Sequence, residues 1–201
     1  MYNDHSMMEA QQAVHELIAL QAPLEKTLDA ITAWIEIMLP PKAIVAFMRF
    51  NPGQQSLSLY PSQLFSHRYQ HQLQEVPIGP DAASFGCAAY WQEQVITEDI
   101  RTDSRWLAFR DAAAQEGLRA CWSSPVMTAN GELLGTFGTY YRQPCSPSET
   151  NENFLRLAAS LVALAIVRDR DSRQHRSLSE WHRSLFVNHP DGGRSANRSS
   201  L

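Results

Sequence analysis

The sequence contains few cysteines, no marked excess of either charge and no apolar run long enough to cross a bilayer. Three cysteines, odd in number and unevenly spaced, argue against a disulfide framework and favour a reducing compartment. A net charge of −4 and a pI near 6.0 give no electrostatic basis for binding nucleic acid or an anionic membrane. The longest apolar run, residues 157–167, falls well short of the ~20 residues that span a bilayer, and the N-terminus carries no secretory signal. These absences predict a soluble, cytoplasmic protein.

The sequence also shows no spacing that is typical of a metal site. Seven histidines are present, and only His67 and His71, at i and i+4, would share a helix face. Because neither an acidic nor a thiol ligand lies near them, a solvated helix face is the favoured interpretation, and no metal is expected.

The remaining pattern predicts an α+β fold. Helical spacing of apolar residues indicates two N-terminal helices, over residues 7–21 and from Pro23 to a stop at Pro40-Pro41. A partly helical excursion without clear period is predicted over residues 61–85, a helix over 105–116, and a long helix from a Ser146–Glu149 capping box to about residue 186. Strands are predicted at residues 43–50, 56–60 and 95–97 and in a hairpin around Asn130-Gly131.

The second strand of that hairpin contains two glycines, Gly135 and Gly138, where a central strand usually packs larger side chains. Two explanations stay open and are equally weighted. The glycines keep space open above the sheet for a ligand, or they let helices pack closely on the opposite face.

The long helix changes character beyond Val167, where only a narrow apolar stripe is left on a charged helix. The stripe has a/d heptad spacing with two polar members, which is typical of a marginal coiled coil. Its members are Leu164, Val167, Asp171, Gln174, Leu178, Trp181 and Leu185. A parallel homodimer is therefore predicted, with an interface made by Val14, Leu17, Leu164, Val167, Leu178 and Trp181.

Several segments resemble a bacterial GAF domain. They are "PLEKTLDAITAWIE" (23–36), "DI..D.RW" (99–106), "GLRACWSSPV" (117–126) and "GELLGTFGTYYRQPCSP" (131–147). The resemblance implies a central antiparallel sheet of five or six strands, with the N- and C-terminal helices on one face and a helix and loop layer covering a ligand pocket on the other.

A further resemblance concerns the end of the chain, where "SEWHRSLFVNHPDG" (179–192) is similar to the opening helix of a PAS domain. The chain is thus interpreted as the input module of a longer sensor. The expected organisation is a dimerisation helix (1–22), a GAF domain (23–168), a signalling helix (169–187) and a disordered, partly vector-derived tail (188–201).

The resemblance and the aromatic residues of the second half indicate a ligand site. In "ASFGCAAY" (83–90), Phe85 stands where the family usually has cysteine, and Cys87 stands where it has threonine; a buried apolar role for Cys87 is favoured over a ligand-facing thiol. Arg110 is a candidate for binding an anionic ligand, although a surface salt bridge is favoured. The candidate ligand-binding residues are Phe85, Cys87, Tyr90, Trp106, Phe109, Arg110, Trp122 and Thr139.

The expected function is ligand sensing without catalysis. The output would pass through a helical dimer to downstream PAS, GGDEF, EAL or kinase modules, which means a cyclic-di-GMP synthase or phosphodiesterase, or a histidine kinase. The cofactor is left unknown, because the motifs that the family uses for haem or bilin are not found. Two alternatives stay open: a ligand-free structural dimerisation module, and a thiol enzyme similar to free methionine-R-sulfoxide reductase, which would need a reactive thiolate among Cys87, Cys121 and Cys145.

Overall fold

A computed structural model describes the backbone of residues 4–39, 43–60 and 64–187, and the side chains of residues 8–39, 43–60 and 64–181. The helices are α1 (Asp4–Ala19), α2 (Leu24–Met38), α3 (His67–Gln72), α4 (Ala83–Trp91), α5 (Arg110–Gln115) and α6 (Glu149–Val187). The strands are β1 (Ile44–Asn51), β2 (Ser56–Leu59), β3 (Val76–Pro77), β4 (Val95–Thr97), β5 (Ala120–Met127) and β6 (Leu133–Tyr141).

The strands form one antiparallel sheet in the order β3-β2-β1-β6-β5-β4. The predicted hairpin β5–β6 lies in its middle, since β6 pairs with both β5 and β1; Gly138, for example, lies opposite Ser123 on one side and Ala46 on the other. The α+β class and the six-stranded sheet with helices on both sides confirm the predicted architecture.

One side of the sheet, called here the helix face, is covered by α1, α2 and the first half of α6. Trp34 of α2 and Phe154 of α6 meet there edge to face at 4.8 Å, and Trp122 and Phe137 from the central strands lie in the same buried cluster. Because α2 places its apolar residues at helical spacing, it buries one side and leaves Glu25 and Asp29 exposed to solvent.

The other side, called here the inner face, is covered by α3, α4, α5 and a 3₁₀ turn at Ser104–Trp106, which together form the cover. The side chains on the inner face form a second buried cluster. In this cluster Met48 and Tyr140 of the sheet pack with Tyr69, Phe85 and Trp106 of the cover. The sheet therefore divides the molecule into two cores that side chains from alternate positions of each strand fill.

The start of α6 differs from the prediction. The helix begins at Glu149, and its cap is Ser148, not Ser146: the Ser148 hydroxyl accepts from the Asn151 amide at 3.2 Å, while the Asn151 side chain accepts from the Ser148 amide at 3.0 Å. This reciprocal pair resembles a capping box and lies two residues further along the chain than the predicted one.

The predicted helix over residues 105–116 is in fact a 3₁₀ turn followed by α5. Asp103 caps the turn by accepting from the Arg105 amide, and Gly117, with φ of 70°, follows the end of α5 as predicted. The stop at Pro40-Pro41 and the tail 188–201 lie outside the described residues, as do the side chain of Leu185 and the end of the PAS-like segment, residues 188–192.

By length and composition alone, α6 could cross a membrane, because an 18-residue window within Glu149–Trp181 has a mean hydropathy of 1.2. The core helix of a globular domain meets the same criterion, and 39% of that window is buried in the domain. Leu155, Ala158 and Val162 account for its apolar character, because they pack into the helix-face core. The expectation that no segment of this chain crosses a membrane stays a prediction.

Candidate functional site

The space between the sheet and the cover is filled by aromatic rings. Phe85 of α4 contacts the rings of Trp106 and Phe109, with centroids 5.5 and 5.4 Å away. Phe65, just before α3, contacts Tyr69 and Tyr140 at 5.2 and 5.5 Å. The structure thus brings the predicted site residues Phe85, Trp106 and Phe109 together, as a packed layer.

A buried polar network holds the cover to the sheet beneath that layer. The indole Nε1 of Trp106 donates to the hydroxyls of Ser84 and Thr97 at 3.0 and 3.1 Å. The Thr97 hydroxyl in turn donates to the Asp103 carboxylate at 2.7 Å. Helix α4, strand β4 and the 3₁₀ turn are therefore joined through side chains that are each fully satisfied.

Asp103 and Arg105 carry the charges of this network. The Arg105 guanidinium lies 2.5 Å from the Asp103 carboxylate and also donates to the Ile96 carbonyl at 2.9 Å. Burial alone would raise the pKa of Asp103, but hydrogen bonds from Arg105 and Thr97 outweigh it, so the pKa lies below its usual value. Asp103 is thus held as a carboxylate that organises the cover.

The two glycines of β6 have different neighbours, and neither of them borders an open space. A Cβ on Gly135 would lie against the Met48 carbonyl oxygen, closer than any real contact allows, and 2.9 Å from the Phe47 ring. A Cβ on Gly138 would meet the Tyr140 ring at 3.1 Å. The nearest atoms belong to β1 at Gly135 and to β5 and β6 at Gly138, so neither an open space nor a closely packed helix accounts for the two glycines.

Arg110 does not form the surface salt bridge that the sequence favours with any described residue. Its guanidinium donates to the backbone carbonyls of Ile100 and Asp103, at 3.3 and 2.9 Å. No carboxylate partner for it is found among the described residues. It therefore fastens the loop that leads into the 3₁₀ turn.

The three cysteines lie in three different places. Cys87 is buried in a small cluster with Ala88 and Val95, as the favoured interpretation predicts, Cys121 lies in the inner-face core, and Cys145 packs against the helix-face core. Burial raises the pKa of all three thiols, to about 12 for Cys121 and about 11 for Cys145. Raised values disfavour the thiolate that nucleophilic chemistry requires.

Three other predicted ligand residues lie away from the aromatic layer, which corrects their assignment to one site. Tyr90 is 53% exposed at the end of α4, against Trp91. Trp122 and Thr139 lie opposite each other on the helix face, where the Trp122 indole donates to the Cys145 carbonyl at 3.2 Å. Alternation explains the separation, because Cys121 and Tyr140, their direct neighbours in sequence, point to the inner face.

Two buried hydroxyls of the inner layer lack a hydrogen-bond partner among the described residues. They belong to Tyr69, which is 1% exposed, and to Thr136, which is fully buried. Thr136 lies opposite Met48, whose side chain is part of the inner-face core. Sequence reasoning missed Tyr69; the available signal was its place three residues after the Ser66 that caps α3.

The predicted dimer residues are divided between core and surface. Val14 is fully buried inside its own chain, and Leu17 and Val167 are partly buried. This corrects the assignment of Val14, which has no surface to offer to a partner. Leu164, Leu178 and Trp181 are 41%, 55% and 58% exposed.

A groove of about 930 Å³ lies beside the inner layer, between α2 and the first half of β1. Phe65 and Ala46 contribute to it, so it reaches the aromatic layer from outside. Its α2 wall carries Glu25, Asp29 and Glu36, and burial raises the pKa of Glu36. Across the described ranges, no group of three His, Cys, Asp or Glu side chains is arranged to hold a metal ion.

This arrangement, two helix layers around an antiparallel sheet, matches a known family. A family model described as "GAF domain" matches residues 21–167. The chain belongs to the GAF domain family. A methyl sulfide methyltransferase-associated sensor from Methanosarcina acetivorans is 26% identical over 191 residues. The match includes 91% of this chain but only 19% of that relative, so the chain corresponds to a small part of it.

Solved structures share the fold of this GAF domain at low sequence identity. The GAF domain from a phosphoenolpyruvate-protein phosphotransferase of Coxiella burnetii has a TM-score of 0.67 and 17% identity, with 86% of this chain and 99% of that one covered. Free methionine-R-sulfoxide reductase from Neisseria meningitidis, solved with its substrate, has a TM-score of 0.65 and 14% identity, covering 86% and 95%. At these identities the likeness concerns the fold.

Proposed function

We propose that this GAF domain is a sensory module that binds a small ligand between the inner face and the cover. The observation that carries the proposal is the pair of buried, unpartnered hydroxyls of Tyr69 and Thr136. A buried hydroxyl without a partner costs about 1–3 kcal/mol, and such groups are rare in native proteins unless something else satisfies them. A ligand that brings a hydrogen-bonding group to either hydroxyl would satisfy that hydroxyl.

The surrounding residues define the class of ligand. Phe65, Phe85 and Phe109 present ring surfaces in the inner layer, and the buried residues that pack there are apolar or aromatic. A compact, flat and mostly apolar molecule with a polar edge fits these surfaces best. The ligand would enter past Phe65 from the groove beside α2 and displace rings of the aromatic layer. Binding would therefore shift the cover from a closed to an open arrangement.

The output would pass through the sheet to α6. Strand β5 contributes Cys121 to the inner core and Trp122 to the helix-face core, so a shift of this strand changes the packing of α6. Helix α6 continues past the domain to Val187. An effector in a longer chain, of the PAS, GGDEF, EAL or kinase kind, is the proposed receiver, and the chain's match to a fraction of a larger sensor supports this role.

The packed aromatic layer also favours a second candidate, a structural module without ligand. A thiol enzyme is disfavoured, because the pKa values of all three thiols are raised and the thiols lie in separate clusters. The two non-enzymatic functions differ in whether a molecule occupies the inner layer.

Native mass spectrometry of the freshly purified protein separates these candidates. We expect the protein to retain a bound molecule, seen as extra mass. Tyr69→Phe should weaken the affinity for that molecule at least about tenfold, because the loss of a hydrogen bond to a buried group costs about 1.4 kcal/mol or more. Tyr90→Phe is the matched control, because Tyr90 is exposed outside the layer, and it should leave the mass unchanged. No retained mass, together with greater thermal stability of Tyr69→Phe, would support the structural module.

A further inference from the structure

Helix α3 is held to the sheet less firmly than α4. Tyr69 is the one buried residue of α3, and its hydroxyl has no hydrogen-bond partner among the described residues. Residues 83–89 of α4 are buried without interruption, and the Ser84 hydroxyl accepts from the Trp106 indole at 3.0 Å. Because burying an unpartnered hydroxyl is unfavourable, the closed position of α3 carries a cost that the position of α4 does not.

One flank of α3 borders open space. The groove of about 930 Å³ separates this helix from α2. His67 and Gln70 line the groove on the side of α3, and Phe65, just before the helix, also reaches it. Asp29 and Glu36 line it on the side of α2. The groove therefore gives α3 room to move on this flank.

The start of α3 is held by Glu116, the residue that follows α5. The Glu116 carboxylate accepts from the Ser66 hydroxyl and from the Ser66 amide, the latter at 3.4 Å. The same hydroxyl caps α3 by accepting from the Tyr69 amide at 3.3 Å. Glu116 is itself fixed, because its carbonyl accepts from the Arg142 guanidinium at 2.6 Å. We call the pair of Ser66 and Glu116 the latch.

The far end of α3 is tied to the sheet. Leu73 is fully buried, and its carbonyl accepts from the amide of Leu59 in β2 at 2.8 Å. We infer that α3 swings open about this end when the latch is released, while α4 and the 3₁₀ turn stay on the sheet. The inference deepens the proposed function and rests on it for the ligand, because it names the part of the cover that would move to admit one.

Opening of α3 alone would uncover one particular thiol. Cys121, Tyr69 and Tyr140 belong to the same buried cluster, and the Phe65 ring packs on Tyr140 at 5.5 Å. Cys87 belongs to α4 and lies in a different cluster. The relative reactivity of Cys121 and Cys87 therefore reports which part of the cover opens.

The first experiment changes the latch and keeps the cap. We expect Ser66→Asp to accelerate hydrogen exchange of the α3 amides about tenfold, because it sets two carboxylates against each other and removes a hydrogen bond to a charged group. The amides report opening because a helix of six residues is not stable away from the sheet. Asp still accepts from the Tyr69 amide as a cap.

Ser66→Asn is the matched control, because its side chain supplies both an acceptor for the cap and a donor for Glu116. It should leave the exchange rate close to that of wild type. Glu116→Gln, added to Ser66→Asp, should restore slow exchange, since the new amide donates to the aspartate. No effect of Ser66→Asp, equal effects of Asp and Asn, or the same acceleration in α4 would overturn the inference.

The second experiment reads the thiols of the same variants with N-ethylmaleimide, followed for each cysteine by mass spectrometry of its peptide. Ser66→Asp should label Cys121 about tenfold faster than wild type does, in step with the exchange rate, and should leave the rate at Cys87 unchanged. Equal acceleration at both thiols would mean that the whole cover loosens, and the assignment of α3 as the moving part would fail.

Neither readout needs a ligand, so the two proposals can fail separately. If native mass spectrometry finds no retained molecule and the exchange and labelling rates still change as expected, the sensory proposal fails and the opening of α3 stands. If a molecule is retained and Tyr69→Phe weakens its binding, but Ser66→Asp changes neither rate, the ligand site stands and the latch is wrong.

Discussion

Asp103 shows how one side chain can organise a large part of the cover. It caps the 3₁₀ turn through the Arg105 amide, accepts from the Thr97 hydroxyl of β4, and pairs with the Arg105 guanidinium, which also reaches the Ile96 carbonyl. The Trp106 indole can donate to the hydroxyls of Ser84 and Thr97 because the Asp103 carboxylate holds the turn in place. Rigid placement of a large ring in the inner layer thus depends on a charge at its edge.

We expect Asp103→Asn to lower the free energy of unfolding at pH 7 by about 1–3 kcal/mol, because a buried ionic hydrogen-bond acceptor is lost. A carboxyl group with a lowered pKa in the folded chain stabilises the fold above its unfolded pKa of about 3.9, and this contribution is lost as pH falls through the folded pKa. The difference from wild type should therefore shrink below about pH 4. Urea unfolding at several pH values measures it.

The exposed Asp81, which forms no hydrogen bond or ion pair with a described residue, provides the control. Asp81→Asn should change the unfolding free energy by no more than about 0.5 kcal/mol. A loss for Asp103→Asn that stays constant down to pH 3 would contradict the role given to its charge.

At the scale of elements, β6 is the strand on which both cores depend, since it pairs along its length with β1 and β5. Gly135 lets β1 approach, and Gly138 gives room to the ring of Tyr140. A side chain added at Gly135 would thus meet backbone atoms, and one added at Gly138 would meet another side chain. The two should respond differently to the same substitution.

Gly135→Ala should destabilise the protein by about 3 kcal/mol, because the new methyl group meets the Met48 carbonyl and the backbone has to move. Gly138→Ala should cost about 1 kcal/mol, because the Tyr140 ring can shift by a few tenths of an ångström. Thermal and urea unfolding of the pair, with Gly53→Ala as a control in an open turn, test this order. Equal losses at both glycines would show that the contacts of β6 are assigned wrongly.

Elements with a regular period could be predicted from the sequence, and those without one could not. Helices α1 and α2 and the β5–β6 hairpin have clear signals, whereas α4 is buried nearly all round and so shows no amphipathic period. The candidate site was predicted for Phe85, Trp106 and Phe109. Trp122 and Thr139 were grouped with them although strand alternation, visible in the sequence, separates neighbouring residues onto opposite faces.

At the scale of the whole molecule, the two cores keep the three thiols apart. Cys87 and Cys121 are buried on the side of the cover, and Cys145 is half-buried before α6. Because burial raises the pKa of each, none is expected to be nucleophilic near neutral pH.

Titration with a chromogenic disulfide reagent at pH 7.5 should accordingly be slow in the folded protein, with Cys145 reacting first, and fast for all three thiols in urea. The variant Cys145→Ser should remove the earliest phase of the reaction. A thiol that reacts in the folded protein as fast as it does in urea would support the thiol-enzyme alternative.

The sheet that separates the cores has a consequence for how such a domain can diversify. Side chains of the inner core and of the helix-face core touch different partners and share mainly the backbone of β1, β5 and β6. Substitutions at positions such as Phe85 and Tyr69 can accumulate in a lineage without altering Trp34, Phe154 and the rest of the α6 anchorage. The proposed ligand site and the proposed output through α6 thus depend on nearly separate sets of residues.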